Sequence, residues 1–275
     1  MHNNVLYRFP EWKAKAVTLS YDDATKTDVK LLSIMKKYGL KGTFNINSGL
    51  YSCNQYRLSQ LEANNLYLES GMEIAAHGLK HLSADSLSEL ELVEEFSRDK
   101  ENLESEYGYP IRGFAYANGI VTDLAVKVLK DCGFAYARTV VSTNDFSIPS
   151  GEWLKWNPTC HHTAQNFNEL VQLFISENPE QAYSKEPLLF YVWGHSIEFE
   201  RNNNWQLIEN FASSIAMCGD IWHATNLEVC EYVKAYRSLS FSEKCDKVVN
   251  NSSIDVYLLV DGKKVLAKAG QVTEF

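Results

Sequence analysis

Seven short apolar runs, each followed by a segment with apolar residues at helical spacing, occupy the chain between residues 17 and 236. The strand-like runs cover 17–20, 43–46, 73–76, 112–116, 134–138, 188–193 and 221–224. Helices are predicted over 28–38, 58–68, 86–107, 123–131, 167–176, 205–218 and 227–236. Gly39 and Gly133 stop two of them, and Ser86-x-x-Glu89 reads as the capping box that starts the longest. No hairpin signal separates these strands, so parallel pairing through helical crossovers is the arrangement left. The expected fold class is α/β, a closed or nearly closed (β/α)7 barrel, with an open doubly wound sheet as the competitor.

Past Arg237 the pattern changes to strand alternation. Residues 254–260, the turn Asp261-Gly262 and residues 264–267 read as a hairpin. Two units follow: a barrel over 1–239 and a small C-terminal β appendage over 240–275. Residues 144–163 read as an irregular loop.

Charge removes some partners. The formal net charge of -9 leaves no basic patch to neutralise phosphates, so neither nucleic acid nor an anionic membrane is an expected partner. No apolar run reaches membrane-spanning length. Met1-His2-Asn3-Asn4 lacks the basic start of a secretory signal, and the six cysteines lack paired spacing, so reduced thiols and a cytoplasmic location are expected. Oligomeric state leaves no signal.

The unusual polar residues fall at the carboxyl ends of the strands, the face on which barrel enzymes carry their chemistry. Asp22 and Asp23 close the first run, and His77 the third, with His81 four residues on. Tyr116-Ala117-Asn118-Gly119 closes the fourth, and Trp193-Gly194-His195 the sixth. Pro158-Thr159-Cys160-His161-His162 lies in the long loop after the fifth. Both aspartates can serve one site only if the chain curls out of strand geometry at Asp22, because neighbouring strand side chains point apart. The plain alternative is that they start the next helix, since Asp is a good N-cap. His77-x-x-x-His81 spans about one helical turn, which lets both imidazoles face one point. Alone, such a pair is more often two surface histidines than a metal site. With a carboxylate from the first strand, the set gives three ligands and an open fourth position, the pattern of catalytic zinc.

Ser20-Tyr21-Asp22-Asp23, His77-x-x-x-His81 and Trp193-Gly194-His195, in this order, resemble the polysaccharide deacetylases of carbohydrate esterase family four, over roughly residues 14 to 237. The resemblance implies a distorted (β/α)7 barrel that removes acetyl groups from N- or O-acetylated sugars. It implies Asp22 as base, Asp23, His77 and His81 as ligands of a divalent metal, and His195 as acid. Zinc is the first choice of metal, and cobalt, nickel, manganese or iron also suit two histidines and a carboxylate. The expected partner is an acetylated sugar or oligosaccharide. Tyr116, Asn118, His161, His162 and Trp193 are the candidate substrate contacts, with the backbone N–H near Asn118 as oxyanion donor.

Three departures stand out. Ala24 follows the aspartates where the family has Gly. Ala115-Tyr116-Ala117-Asn118-Gly119 stands where it has R-x-P-Y-G, so the arginine that braces the base is missing there, and Arg112 is near in sequence. In place of the aspartate that tunes the acid histidine the chain offers Trp153, Trp156 and His161-His162. A metal-independent or ureide-type amide hydrolase and a non-catalytic sugar-binding relative are the alternative readings.

Overall fold

The computed structural model describes residues 4–177 and 185–275. Its first four strands are β1 (Val5–Arg8), β2 (Lys15–Asp22), β3 (Thr43–Ile46) and β4 (Glu73–Ala76). There follow β5 (Gly113–Ala115), β6 (Tyr136–Arg138), β7 (Cys160–His161), β8 (Leu188–Gly194) and β9 (Ile221–His223). The helices are α1 (Asp28–Lys37), α2 (Gln60–Tyr67), α3 (Glu89–Tyr107), α4 (Asp123–Asp131), α5 (Phe167–Ser176), α6 (Ser196–Arg201), α7 (Gln206–Ala216) and α8 (Asn226–Arg237).

Every residue of β2 is buried, as a strand covered on both faces requires. One edge pairs in parallel with β8 from Lys15 to Tyr21. The other is shared, Ser20–Asp22 pairing with β3 and Lys15–Val17 with β9. The sheet runs β6-β5-β4-β3-β2-β8-β7, a curled parallel sheet of seven strands. This is the distorted (β/α)7 barrel expected, with one exchange of staves. The predicted seventh run, β9, pairs only with the lower half of β2, and β7 takes the outer place. Trp156 N–H donates to the Ala137 carbonyl and Thr139 N–H to the Trp156 carbonyl. The segment that read as an irregular loop therefore draws the sheet edges together. A two-residue strand and a single bridge are too short to leave a periodic pattern.

Helix boundaries follow local chemistry. The box that starts α3 is Ser88 with Glu91, each capping the other's N–H, and not Ser86 with Glu89. Ser86 instead ends a one-turn helix, where its Oγ donates to the Ser83 carbonyl. Gly108, at φ 76°, closes α3 in the left-handed conformation that glycine adopts without penalty.

The appendage contains β10 (Ser240–Phe241), β11 (Lys247–Val249), β12 (Val256–Val260), β13 (Lys263–Ala267) and β14 (Val272–Glu274). The hairpin β12–β13 turns at Asp261-Gly262, both at positive φ. Its third strand comes from the far end of the chain: β1 pairs with β12, Val5 opposite Val260 through Arg8 opposite Tyr257. Val5, Phe9, Tyr232, Tyr236, Val256 and Leu258 share one apolar cluster, so α8 seats the appendage on the barrel. Among the described residues no helix is long and apolar enough to cross a membrane.

Candidate active site

At the end of β2 the backbone leaves strand geometry as the aspartate pair demands. Asp23 has φ 87° and Ala24 φ 48°. The consequence is convergence: Asp22 Oδ2 and Asp23 Oδ1 lie 3.8 and 3.9 Å from His77 Nε2. Arg57, just before α2, clamps this turn. Its guanidinium donates to the Asp23 backbone carbonyl, to Asp23 Oδ1 at 2.8 Å and to Asn47 Oδ1 at 3.1 Å. Leu58 N–H donates to the Ala24 carbonyl at 2.9 Å.

His77 and His81 occupy a loop after β4 and not a helical turn. Gly78 at φ 84° and His81 at φ 57° bend it so that the two rings still meet, 4.7 Å apart and nearly perpendicular. A Cβ at Gly78 would stand 2.9 Å from Glu95 Oε1, so the bend needs glycine for space as well as for φ. α3 holds the loop with two carboxylates. Glu95 accepts from the N–H groups of Lys80 and Leu82, and Asp99 from those of His77 and Ser48. Asn47 Nδ2 donates to the carbonyls of His77 and Gly78. His77 Nδ1 lies 2.8 Å from the Ala115 carbonyl, which assigns the proton to Nδ1 and turns the Nε2 lone pair toward the aspartates. Burial drives the His77 pKa down to about 4 against the pull of both aspartates, so the ring is neutral, as a metal ligand must be.

Asp23, His77 and His81 each offer a donor atom within 4.8 Å of the others. A carboxylate and two imidazoles, braced from behind and leaving a position open, fit a divalent cation.

Asp22 is the base candidate, and its brace is Arg138. The guanidinium, 1% exposed at the end of β6, donates to Asp22 Oδ2 at 2.5 Å, while Asn45 Nδ2 donates to Oδ1 at 2.7 Å. Burial pushes the carboxyl up, but Arg138, His77, His195 and Asn45 together bring it down to about 2. Arg112 plays no part, since it pairs with Glu231 on α8 away from the cluster. The reading of the sequence missed Arg138. The signal available was an arginine closing an apolar strand on the functional face.

His195 starts α6, with Nε2 3.9 Å from Asp22 Oδ2 and Nδ1 3.5 Å from Glu198 Oε1. Burial lowers its pKa, but the Glu198 contact and the charges of Asp22 and Asp23 raise it above the ordinary histidine value. Glu198, also unforeseen, fills the place of the missing tuning carboxylate from three residues downstream. Oε2 of the same carboxylate is 3.2 Å from His161 Nε2 and 3.4 Å from His162 Nε2. Trp193 walls this cluster, its ring 4.4 Å from the Arg138 guanidinium and 4.5 Å from His161.

The side chains of Tyr116 and Asn118 are bonded elsewhere. Tyr116 is buried with its hydroxyl donating to the Leu154 carbonyl and its N–H to the Arg138 carbonyl. Asn118 is exposed, with Nδ2 donating to Ser83 Oγ. Trp153 and Trp156 pack on each other in the core, and Trp222 against Phe9 and Tyr232. A cleft of about 260 Å³, lined by Asp23, Tyr56, Arg57, His195, Glu198 and Arg201 among others, opens onto the site. A larger depression of about 450 Å³ between α4 and Trp153 contains none of these groups.

A curled (β/α)7 barrel with an Asp-Asp-His-His cluster at the carboxyl ends of its strands defines the class. Residues 10–137, from before the aspartate pair into β6, match the model of the polysaccharide deacetylase family. Among solved structures the chain is similar to a Mycobacterium smegmatis protein assigned to the polysaccharide deacetylases. The TM-score is 0.63 and the identity 17%, over 86% of this chain and 98% of that one. It is similar to a family 4 carbohydrate esterase from Streptomyces lividans in complex with acetate (TM-score 0.51, 16% identity, 76% and 91% covered). It is also similar to a family 4 pseudoenzyme from Bacillus anthracis (TM-score 0.52, 17% identity, 82% and 68% covered). The chain spans 61% of the length of the Streptococcus pyogenes deacetylase PplD. At these identities the likeness is one of fold. No curated protein matches the chain in sequence.

Proposed function

We propose that the chain is a metal-dependent deacetylase that hydrolyses N-acetyl or O-acetyl groups of a carbohydrate. The observation that carries this is the position of one carboxylate oxygen. Asp22 Oδ2 stands 3.8 Å from the Nε2 of His77 and 3.9 Å from that of His195, between a metal-ligand histidine and an acid. A divalent cation held by Asp23, His77 and His81 supplies Lewis acidity toward an acyl oxygen and an attacking water. Zinc suits the donor set, with cobalt, nickel, manganese and iron as competitors.

Asp22, kept ionised by Arg138 and aimed by Asn45, accepts the proton of the attacking water. His195, its pKa raised by Glu198, gives a proton to the departing sugar nitrogen or oxygen. The backbone N–H near Asn118 is the candidate donor to the oxyanion. Trp193 offers a face for a sugar ring at the edge of the cluster.

The test is acetate release from a panel of acetylated mono- and oligosaccharides, with and without chelator. Release that stops with chelator and returns with zinc is the expected result. No release from any panel member, with metal bound, would remove the reading. The pseudoenzyme neighbour brings in the non-catalytic alternative. The full set of Asp22, Asp23, His77, His81 and His195, with Arg138 supplying the brace, favours the enzyme.

A further inference from the structure

Glu198 meets more imidazoles than the orientation of one acid requires. Its carboxylate faces His161, His162 and His195 at 3.2, 3.4 and 3.5 Å. His162 is 1% exposed, and neither of its ring nitrogens has a hydrogen-bond partner. The ring is wedged between Phe199, 4.1 Å away, and Tyr21, 5.7 Å away. Gly194 leaves room for it on another side, where a Cβ would come within 2.0 Å of Nδ1. A buried imidazole held in place with its lone pair unspent, and a carboxylate shared among three rings, are features of a ligand set.

The remaining donors can be reached from solvent. The side chains of His161, His195 and Glu198 are 19, 28 and 28% exposed, and the last two line the cleft. One donor atom from each lies within 4.8 Å of the other two. His161 Nδ1 lies 2.7 Å from Thr163 Oγ1 and accepts from the Thr163 backbone N–H at 3.1 Å, so the ring proton sits on Nε2, and a cation there displaces it to solvent or to Nδ1, where the Thr163 hydroxyl can accept it.

We propose that His161, His195 through Nδ1, and Glu198, with His162 behind them, form a second divalent-cation site, and that its occupation switches the enzyme off. The regulatory half of the proposal rests on the reading of His195 as the acid. Imidazoles and one carboxylate select zinc, nickel or copper(II) over magnesium or calcium. Binding at Nδ1 takes the lone pair that would otherwise carry the second proton, and the proton of the imidazolium leaves to solvent. The ring then keeps only a metal-bound imidazole N–H at Nε2, a far weaker acid than the imidazolium. Zinc should therefore activate at one equivalent and inhibit beyond it.

Zinc stoichiometry of the whole chain, measured by equilibrium dialysis in metal-buffered solution, tests the site without reference to activity. Wild type is expected to bind two ions in separate phases. His161→Ala and Glu198→Gln should each lose one of them, and His81→Ala the other. Filling the second site should lower acetate release by about 10²-fold, the worth of a general acid. A single ion in wild type, or two ions retained in both His161→Ala and Glu198→Gln, overturns the proposal. Two ions with no acetate release at any zinc level would uphold the site and remove the deacetylase reading. Turnover with one ion and no inhibition by zinc would do the reverse.

Discussion

Arg138 and Asp22, 116 positions apart in the chain, form a salt bridge between the carboxyl ends of β6 and β2 with side chains 1 and 3% exposed. The family pattern supplies the brace of the base from the strand before, at the start of its third motif. Here the same charge reaches the same carboxylate from the end of β6. Both ions are desolvated, so each depends on the other, and removal of one leaves a buried charge uncompensated.

Arg138→Met should therefore lift the Asp22 pKa from about 2, since the guanidinium is the largest of the influences that lower it. A base works only when ionised, so the acid limb of the pH–rate profile should move to higher pH. Turnover at neutral pH should fall by about 10²-fold. Arg138→Lys, which keeps the charge but loses the planar fork, should retain part of it. An acid limb that stays in place in the Met variant would show that Arg138 does not set the base.

Arg57 and Ala24 should behave as a coupled pair. Asp23 and Ala24 hold left-handed φ values that cost about 1–2 kcal/mol each for residues with a Cβ, and Arg57 keeps the turn from relaxing. Arg57→Ala should weaken metal binding by about 10–100-fold in a chelator competition. Adding Ala24→Gly removes part of the strain and should recover some of that loss. Equal losses in the single and the double variant would break this link.

Glu198→Gln bears on the other side of the pH profile. As the proposed acid, His195 must be protonated to act, and the Glu198 contact leads the influences that raise its pKa against burial. Without that carboxylate the pKa falls, and the alkaline limb should move to lower pH. Chelator-titrated enzyme with one equivalent of zinc isolates this effect from any second ion.

Three buried carboxyls, Glu73, Asp99 and Asp28, should each take stability away as pH rises from about 4 to 7, against the opposite contribution of the buried His77. Burial raises Glu73 to about 7, Asp99 to about 7 and Asp28 to about 6, beyond what their hydrogen bonds offset. In that window the folded chain holds protons that the unfolded chain has released, so the unfolded state gains as pH rises. Each contribution is fully present below the ordinary carboxyl pKa and lost once pH passes the raised value. For Glu73 this amounts to a few kcal/mol, at about 1.4 kcal/mol per unit. Glu73→Gln should flatten the slope of Tm against pH between 4 and 8, and an unchanged slope would place the effect elsewhere.

The local features were legible because they are periodic or adjacent. Seven strand–helix units, the D-G hairpin and the gathering of Asp22, Asp23, His77, His81 and His195 at strand ends all follow from spacing along the chain. Glu198 stood three residues after His195 at a helix start, within reach of the same kind of reading.

What the sequence by itself determined was the barrel, the face that bears the polar groups and the residues proposed to hold a cation. Tertiary structure alone decided that Arg138 braces Asp22, that Arg57 clamps Asp23, that residues 156–161 draw the sheet together and that Val5–Arg8 completes the appendage. Those are contacts between segments remote in sequence. Chain periodicity reports which way a side chain faces relative to its neighbours, whereas only the folded path sets which distant partner it meets there.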